Sequence, residues 1–284
     1  MIDLHVHTTA SDGTATPTAV IQEARSIGLD AISITDHDTF DAYEEAVPAA
    51  REAGLQLIWG IEISTKLVQP GKTFGKTVHL LGYFPKGPAP EFLEWIKEQQ
   101  QARHERNVQL CGRLRQFDID ITMDEVKALG RNMAGRPHFA KLMVQKGYVE
   151  TIQEAFDKYL DERGQAYVEK HDPTLAEGIR HIRDSGGVSS LAHPVRLNKV
   201  GTQEEDLIRQ MAKMGMHAIE AYHCDHTERH QERYQLMARR YDLTVTGGSD
   251  YHGDLKPEVK LGTGRNNNVV VPNKVLDRLR ALAR

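Results

Sequence analysis

The sequence predicts an α/β barrel that carries a mostly helical insertion, and two patterns support this prediction. Segments typical of strands alternate with segments typical of helices before residue 90 and again after residue 170. Between residues 91 and 170 the patterns are helical. One α/β barrel commonly takes about 250 residues. A chain of 284 residues therefore fits a barrel formed by 1–90 and 171–284, with an insertion at 91–170.

The first part of the chain repeats a unit of one strand and one helix. Ile2–His7 alternates apolar and polar residues as a strand does, and Thr16-Pro17 supplies an N-cap and a first-turn proline for a helix that Gly28 closes. The next predicted elements are a strand at Ala31–Thr35, a helix at Asp41–Ala53, and strands at Gln56–Ser64 and Val78–Phe84, the last after a loop with Pro70, Gly71 and Gly75.

After the insertion the alternation resumes. The predicted helices are Thr174–Asp184, Glu204–Met214, Thr227–Tyr241 and Pro272–Ala283, and the predicted strands are Val188–Ala192, Ala218–Ala221, Leu243–Gly247 and Asn268–Val271. About seven βα units in one chain favour a closed or nearly closed barrel.

Composition narrows the class of protein. The hydrophobic fraction of 39% and the charged fraction of 27% are ordinary for a soluble protein, and a net charge of −4 gives no global attraction to nucleic acid or membranes. The first residues show no basic segment followed by an apolar one, the pattern of a secretory signal peptide, and this favours a cytoplasmic protein. Cys111 and Cys224 are expected to be free thiols, and zinc held by thiolates is disfavoured.

Histidines and carboxylates mark the first predicted strand. His5 and His7 lie two residues apart, so both imidazoles point to one face of the strand and can reach one metal ion. The alternative is a pair of surface histidines on an edge strand. Asp12 follows in a Ser11-Asp12-Gly13 turn.

The next strands carry similar groups. Asp36 and His37 follow the second strand, where parallel sheets and barrels place their sites, although such a pair is more often a cap or turn. Glu62 lies in an apolar strand, where burial of its carboxylate is costly without a cation. Either a metal ion or a basic side chain would offset that cost. His79 lies near the start of the fourth strand.

Further motifs follow the insertion. His193 ends a strand, Glu220 and His223 accompany the next one, and Asp250 and His252 repeat the two-residue spacing after another. So many groups at strand ends are hard to assign to chance, and they favour a shared metal site. The histidines on or beside predicted helices are interpreted as solvated or packing residues, namely His104, His181, His217, His226 and His230.

Taken together, the motifs resemble the polymerase and histidinol phosphatase (PHP) superfamily, in its branch of nucleoside 3′,5′-bisphosphate phosphatases and 5′-to-3′ exoribonucleases. They match that branch in order and span practically the whole chain: His5-Val6-His7, Ser11-Asp12-Gly13, Thr35-Asp36-His37-Asp38, Gly60-Ile61-Glu62, His79-x-x-Gly82, Ala192-His193-Pro194 and Gly248-Ser249-Asp250-x-His252. The resemblance implies a distorted (β/α)7 barrel and a hydrolase with up to three metal ions.

The resemblance also implies a set of ligands. The first metal ion would bind His5, His7, Glu62 and Asp250, the second Glu62, His79 and His193, and the third Asp12, His37 and His252. Several family members have His in place of Asp12, so the third site is where this chain departs from the pattern. Mixed imidazole and carboxylate sets suit Mn²⁺, Fe²⁺ or Zn²⁺ better than Mg²⁺. We therefore expect two or three divalent ions, with Mn²⁺ as the leading choice.

The expected chemistry is attack of a metal-held hydroxide on phosphorus, with two ions about 3.5–4 Å apart and bridged by Glu62. Asp250 is expected to be essential for catalysis. Asp36 is predicted to orient a metal-binding histidine through a hydrogen bond. His223 is the candidate proton donor to the leaving oxygen.

The insertion is predicted to bind a second phosphate of the substrate. Residues 103–141 hold eight Lys or Arg against five Asp or Glu, although a solvated helix surface is the ordinary alternative. Arg136 precedes a proline that starts a helix, a place suited to bidentate phosphate contacts. The related bisphosphate phosphatases have a comparable basic residue and histidine in their insertion, which points to Arg136 and His138. Arg103, Arg106 and Arg196 are further candidates.

The leading functional prediction is a metal-dependent phosphatase that hydrolyses a nucleoside 3′,5′-bisphosphate, such as adenosine 3′,5′-bisphosphate. The alternatives are a 5′-to-3′ exoribonuclease on short 5′-phosphorylated RNA and a non-catalytic metal-binding module. The mild acidity disfavours a long duplex as a partner, because tight binding of such a partner depends on many phosphate contacts. A membrane partner is not expected.

Overall fold

The computed structural model describes residues 1–68, 76–130, 134–169, 172–199 and 201–283, so the predicted loop with Pro70, Gly71 and Gly75 lies outside the described residues. The chain divides into two compact units. We call Met1–Glu94 with Pro173–Arg284 the barrel unit, and Trp95–Asp172 the insertion unit. Among the described residues, no helix combines the length and apolar character needed to cross a membrane.

The barrel unit contains a seven-stranded sheet whose strands lie side by side in sequence order, which confirms the predicted α/β class. The strands are β1 Ile2–Val6, β2 Ala31–Ile34, β3 Gln56–Leu67, β4 Lys76–Phe84, β5 Val188–Leu191, β6 Ala218–Tyr222 and β7 Thr244–Gly247. The sheet curls towards closure, because Asp250 N donates to His5 O and His7 N donates to Tyr251 O, at 2.8 and 2.9 Å. These bonds join the end of β1 to the segment after β7.

The helices follow the predicted order, and Thr16 caps the first of them through its hydroxyl, which accepts from Ala19 N. Their bounds are α1 Pro17–Ser26, α2 Ala42–Ala53, α3 Pro90–Arg115, α4 Met123–Gly130, α5 Arg136–Gln145, α6 Ile152–Ala155, α7 Leu175–Asp184, α8 Thr202–Lys213, α9 Glu228–Arg240 and α10 Lys274–Leu282. The insertion unit has its own apolar core, formed around Leu114, Phe139, Met143 and Leu160.

Strand β4 runs antiparallel to both of its neighbours, whereas the remaining pairs in the sheet are parallel. Alternating strands and helices predict parallel strands, and β4 departs from that expectation. The reason is the short connection from Leu67 to Lys76, since a parallel crossover needs about a dozen residues or more. The reversal brings the start of β4 to the edge of the sheet where the parallel strands end.

The prediction of a strand at Asn268–Val271 is wrong. Only Val271 makes a bridge, to Ile2, while a small hairpin forms from β8 Val259–Lys260 and β9 Gly264–Arg265. Two-residue strands are too short to show a periodic pattern, so neither of them could be predicted from the sequence.

Asp3 and Gly248 fix the segment after β7 against β1. Asp3 is fully buried and accepts hydrogen bonds from Ser249 N, Ser249 Oγ and Gly262 N, at 2.9, 2.6 and 2.8 Å. A Cβ atom at position 248 would lie 2.2 Å from His5 N, so only glycine permits this approach. The contact places Asp250 beside the histidines of β1.

Candidate metal centre

Side chains from one edge of the sheet converge in the barrel unit. His5 lies on β1, Glu62 on β3 and His79 near the start of the antiparallel β4, while His193 and Asp250 follow β5 and β7. The structure brings together all of the predicted metal ligands, which are His5, His7, Asp12, His37, Glu62, His79, His193, Asp250 and His252.

Glu62 lies at the centre of this cluster, 1% exposed. Its Oε1 is 2.9 Å from His79 Nδ1 and 2.8 Å from His193 Nε2. Its Oε2 is 3.2 Å from His5 Nε2 and 3.1 Å from His7 Nε2. His37 Nδ1 also lies 3.4 Å from Oε2. The two carboxylate oxygens thus face different imidazoles, which is the arrangement of a carboxylate that bridges two cations.

The two oxygens of Asp250 also face different groups. Oδ1 is 3.4 Å from both His5 Nε2 and His7 Nε2. Oδ2 accepts from Arg196 Nη2 and Lys256 Nζ, each at 2.8 Å. The side chains of Arg196 and Lys256 thus hold Oδ2, and Oδ1 faces the histidines.

A third group forms around Asp12. Its Oδ1 is 3.4 Å from His7 Nδ1, and its Oδ2 is 3.5 Å from His252 Nε2 and 3.8 Å from His37 Nε2. The Asp12 side chain is 38% exposed, in contrast to the buried histidines. His7 also belongs to this group, in addition to the three residues predicted for it. The His7 ring faces Asp12 through Nδ1 and Glu62 through Nε2.

The electrostatics fit a cation. Burial alone would lower the pKa of His7, but hydrogen bonds to Asp250 and Glu62 outweigh it and raise that pKa to about 10. Burial alone would raise the pKa of Glu62, but the surrounding histidines hold it well below its usual value. Buried carboxylates of this kind need a compensating positive charge. Mixed imidazole and carboxylate donors are ligands that divalent transition metals accept, so the residues present fit a metal centre.

A family model for the PHP domain matches residues 3–172, more than half of the chain. The chain belongs to the PHP family. It is 32% identical over 250 residues to a 5′-3′ exoribonuclease of Haemophilus influenzae, covering 88% of this chain and 89% of that one. It is 31% identical over 254 residues to a 3′,5′-nucleoside bisphosphate phosphatase of Chromobacterium violaceum, covering 88% and 87%.

The fold agrees with this family membership. A crystal structure from Bifidobacterium adolescentis, designated a metal-dependent phosphoesterase, superposes with a TM-score of 0.73 at 31% identity, over 100% of this chain and 96% of that one. As a PHP family member with this fold, the chain is a metal-dependent hydrolase of phosphoesters.

Glu220 is a residue of the PHP site whose role the sequence did not reveal. It is fully buried on β6, its Oε1 lies 2.8 Å from His5 Nδ1, and its Oε2 accepts from His193 N at 2.6 Å. When His5 Nδ1–H donates to Glu220 Oε1, the Nε2 lone pair of His5 faces Glu62 and Asp250. The sequence feature that could have indicated this role is a carboxylate, Glu220, among the apolar residues of β6.

Asp36 has partners other than the predicted one. Its carboxylate accepts from Thr8 N at 2.7 Å, Thr8 Oγ1 at 2.6 Å and Ser11 Oγ at 2.5 Å, and it bonds no histidine among the described residues. The prediction that Asp36 orients a metal-binding histidine by a hydrogen bond is therefore wrong for this structure. Asp36 instead fixes the turn that carries Asp12.

His223 is fully buried and has one defined tautomer. Asp225 N donates to His223 Nδ1 at 3.0 Å, so in the neutral ring the proton is on Nε2. That nitrogen lies 3.4 Å from Asp250 Oδ2. His223 therefore presents an N–H donor to the edge of the cluster.

The predicted phosphate-binding residues fall into two places. Arg196 lies in the barrel unit, where it bridges Asp225 and Asp250. The others belong to the insertion unit, namely Arg103, Arg106, Arg136 and His138. Helix α5 begins at Arg136 itself, so Arg136 lies inside its first turn and not before it.

Two of these side chains also have local partners within the insertion unit. Arg136 Nη1 donates to Leu160 O at 3.2 Å, and its guanidinium lies 6.0 Å from the centre of the Tyr167 ring. His138 Nδ1 accepts from Gly135 N at 3.2 Å and so caps α5.

If Asp250 is a metal ligand, replacing Lys256 with Met should weaken the binding of a divalent metal ion about tenfold, because loss of an outer partner of a ligand costs roughly 10–100-fold and Arg196 still holds Asp250 Oδ2. Calorimetric titration of metal-free protein with Mn²⁺ would measure the change. Lys260→Met, at an exposed position on β8, is the matched control. Equal affinities in the two variants would show that Lys256 does not position Asp250.

Proposed function

We propose that this chain is a phosphatase that releases phosphate from nucleoside 3′,5′-bisphosphates, such as adenosine 3′,5′-bisphosphate. The observation that carries the proposal is Glu62, whose two oxygens face different imidazoles beside the buried Asp250. This donor set suits two cations acting on one phosphoryl group. The similarity to the Chromobacterium violaceum nucleoside bisphosphate phosphatase supports the choice of substrate.

We assign the ligands to three groups, with two or three divalent ions and Mn²⁺ as the leading choice. The first group is His5, His7, Glu62 and Asp250, the second Glu62, His79 and His193, and the third Asp12, His37 and His252. The second group rests on Glu62 Oε1, which both of its histidines contact. Divalent ions bound there would polarise the phosphoryl oxygens and lower the pKa of water.

The chain's own residues supply the remaining steps. Glu220 holds His5 in the orientation that turns Nε2 inward, and Arg196 with Lys256 turns Asp250 Oδ1 towards the same space. The Nε2–H of the neutral His223 ring is placed to donate a hydrogen bond to the oxygen that leaves phosphorus and so to stabilise its negative charge, while the proton that this oxygen takes comes from water. The backbone N–H of Asp225 keeps that tautomer in place.

The second phosphate of the substrate is assigned to Arg136, in the first turn of α5, where backbone N–H groups also favour an anion. Replacing Arg136 with Ala should lower kcat/KM for adenosine 3′,5′-bisphosphate about 10–100-fold, since a hydrogen bond to a charged group contributes about 1.5–3 kcal/mol. The effect should fall on KM. Hydrolysis of p-nitrophenyl phosphate, which has no second phosphate, should be unchanged.

Steady-state kinetics with both substrates measures this difference. Lys141→Ala is the matched control, because Lys141 is an exposed cation on the same helix. An equal loss for both substrates in the Arg136 variant, or a thermal midpoint well below that of the parent, would indicate a structural role.

The second candidate is a 5′-to-3′ exoribonuclease acting on short 5′-phosphorylated RNA, supported by the Haemophilus influenzae relative. The deciding experiment is phosphate and nucleotide release with Mn²⁺ from adenosine 3′,5′-bisphosphate, AMP and a 5′-phosphorylated RNA oligonucleotide. Fast release from the bisphosphate alone supports the phosphatase. Preference for the oligonucleotide supports the nuclease and rejects the first proposal.

We further propose the cytoplasm as its compartment. Its substrates are proposed to be small nucleotides or short oligonucleotides, without a membrane or a long duplex as partner. The net charge of −4 supports the absence of a long duplex or an anionic membrane as partner, because it gives no general attraction to polyanions.

A further inference from the structure

The carboxylate of Asp225 lies in the loop between β6 and α9 and contacts Arg196. Arg196 donates to Asp225 Oδ2 through Nε at 2.9 Å and through Nη2 at 2.7 Å. The same Nη2 donates to Asp250 Oδ2 at 2.8 Å. Because a guanidinium Nη carries two N–H groups, Nη2 gives one N–H to each carboxylate. Arg196 thus joins the loop to the buried Asp250.

The backbone on both sides of Asp225 is held by one amide from a distant segment. Asn268 Nδ2 donates to Cys224 O at 2.8 Å and to His226 O at 3.1 Å. Asn268 Oδ1 accepts from Arg265 N at 2.9 Å, so this side chain uses both of its amide hydrogens and its oxygen. The Asp225 carboxylate therefore extends from a fixed piece of backbone towards Arg196.

The contact between Asp225 and Arg196 joins two charged groups. Burial alone would raise the pKa of Asp225, but the Arg196 guanidinium and then His223 hold that pKa below its usual value. Arg196 keeps its proton in proteins. The Asp225 and Arg196 side chains are 30% and 38% exposed, so water screens part of their attraction. What the contact supplies is geometry, because two charge-assisted hydrogen bonds to one oxygen fix the plane of the guanidinium.

We infer that Asp225 is a positioning residue, which acts through Arg196 on the proposed metal ligand Asp250. A long arginine side chain has many rotamers, and the two bonds to Asp225 restrict where Nη2 can lie. Asp250 Oδ2 is then held at Nη2, and Oδ1 stays 3.4 Å from Nε2 of both His5 and His7. The inference rests on the proposed metal role of Asp250 and adds a residue outside the three ligand groups.

The backbone and the side chain of Asp225 serve different partners. The backbone N–H donates to His223 Nδ1 at 3.0 Å, whereas the carboxylate holds Arg196. Asp225→Asn removes the negative charge of the side chain and keeps the backbone N–H. This substitution should therefore disturb Arg196 and leave the tautomer of His223 unchanged.

The test is calorimetric titration of the metal-free, full-length protein with MnCl₂, for the parent, Asp225→Asn, Arg196→Met and the double variant. Asp225→Asn should weaken Mn²⁺ binding about fivefold, within the roughly 2–100-fold coupling of residues in one salt-bridge network. In the Arg196→Met background the same substitution should change the affinity by less than about twofold, because the residue through which Asp225 acts is absent. The ratio of turnover between adenosine 3′,5′-bisphosphate and p-nitrophenyl phosphate should stay within about twofold of the parent, since His223 keeps its partner.

The matched control is Glu228→Gln, which removes one negative charge from an exposed residue of α9 beside the same cavity as Asp225. Its Mn²⁺ affinity should equal that of the parent. Unchanged affinity in Asp225→Asn would overturn the inference. An equal loss in the Arg196→Met background would also overturn it, because Asp225 would then act by charge at a distance.

Further outcomes separate this inference from the proposed function. A parent that shows the expected Mn²⁺ affinities across the four proteins but releases no phosphate would reject the proposed phosphatase and support the role of Asp225. A parent that binds no Mn²⁺ would overturn the metal role of Asp250 and this inference with it. A thermal midpoint of metal-free Asp225→Asn well below that of the parent would assign Asp225 to folding and overturn the positioning role.

Discussion

Replacing Glu62 with Gln is expected to remove both metal binding and phosphate release, with the fold retained. Glutamine keeps the size of the side chain but removes the charge that four imidazoles of the cluster contact, at 2.8–3.2 Å. Loss of an outer partner of a metal ligand costs roughly 10–100-fold in affinity or activity, and loss of a bridging ligand should exceed that range. Metal analysis by mass spectrometry and phosphate release would measure the two effects.

The matched control is Glu44→Gln, at an exposed position on α2. The control should keep both its metal and its activity. Retention of a full complement of metal by the Glu62 variant would rule out the bridging role, whatever its activity. A large fall in the thermal midpoint together with lost helical circular dichroism would instead indicate that Glu62 is needed for folding.

Replacing His223 with Ala should lower turnover of adenosine 3′,5′-bisphosphate about 10²–10³-fold, the usual cost of removing one hydrogen-bond donor to an oxygen that becomes negative in the transition state. The bound metal should remain, because His223 is absent from the three proposed ligand groups. The reason for the loss is the Nε2–H donor, whose position Asp225 N fixes through Nδ1. Hydrolysis of p-nitrophenyl phosphate should fall much less, since its leaving oxygen spreads its negative charge over the nitrophenyl ring and needs little help from a hydrogen bond.

Comparison of the two substrates distinguishes a catalytic role of His223 from a structural one. An equal loss for both would assign His223 to positioning or structure, and lost metal would make it a ligand. His181→Ala, in the last turn of α7 and outside the cluster, provides the control for removing an imidazole.

The clustering of the proposed metal ligands could be predicted from the sequence because their positions depend on local rules. Side chains two apart on a strand share a face, which pairs His5 with His7. Functional groups gather where parallel strands end, which accounts for His37 and His193. His79 follows the same geometry in reverse, because β4 is antiparallel and begins at that edge.

The supporting contacts could not be predicted in this way. Lys256 reaches Asp250 through a loop after β7, and Glu220 reaches His5 across the sheet, from a position 215 residues away in the chain. Such pairs depend on how distant segments pack, for which a single sequence carries no local pattern. Asp36 illustrates the same limit: its place at a strand end was clear, but its bonds to Thr8 and Ser11 were not.

The backbone hydrogen bond from Asp250 N to His5 O has a consequence for biosynthesis. Asp250 lies 245 residues after His5 in the chain. The ligand group proposed from His5, His7, Glu62 and Asp250 therefore cannot form until β7 and the segment after it have been translated and have packed against β1. A metal ion proposed for this group would bind only after that step, whereas Glu62, His79 and His193 are translated earlier.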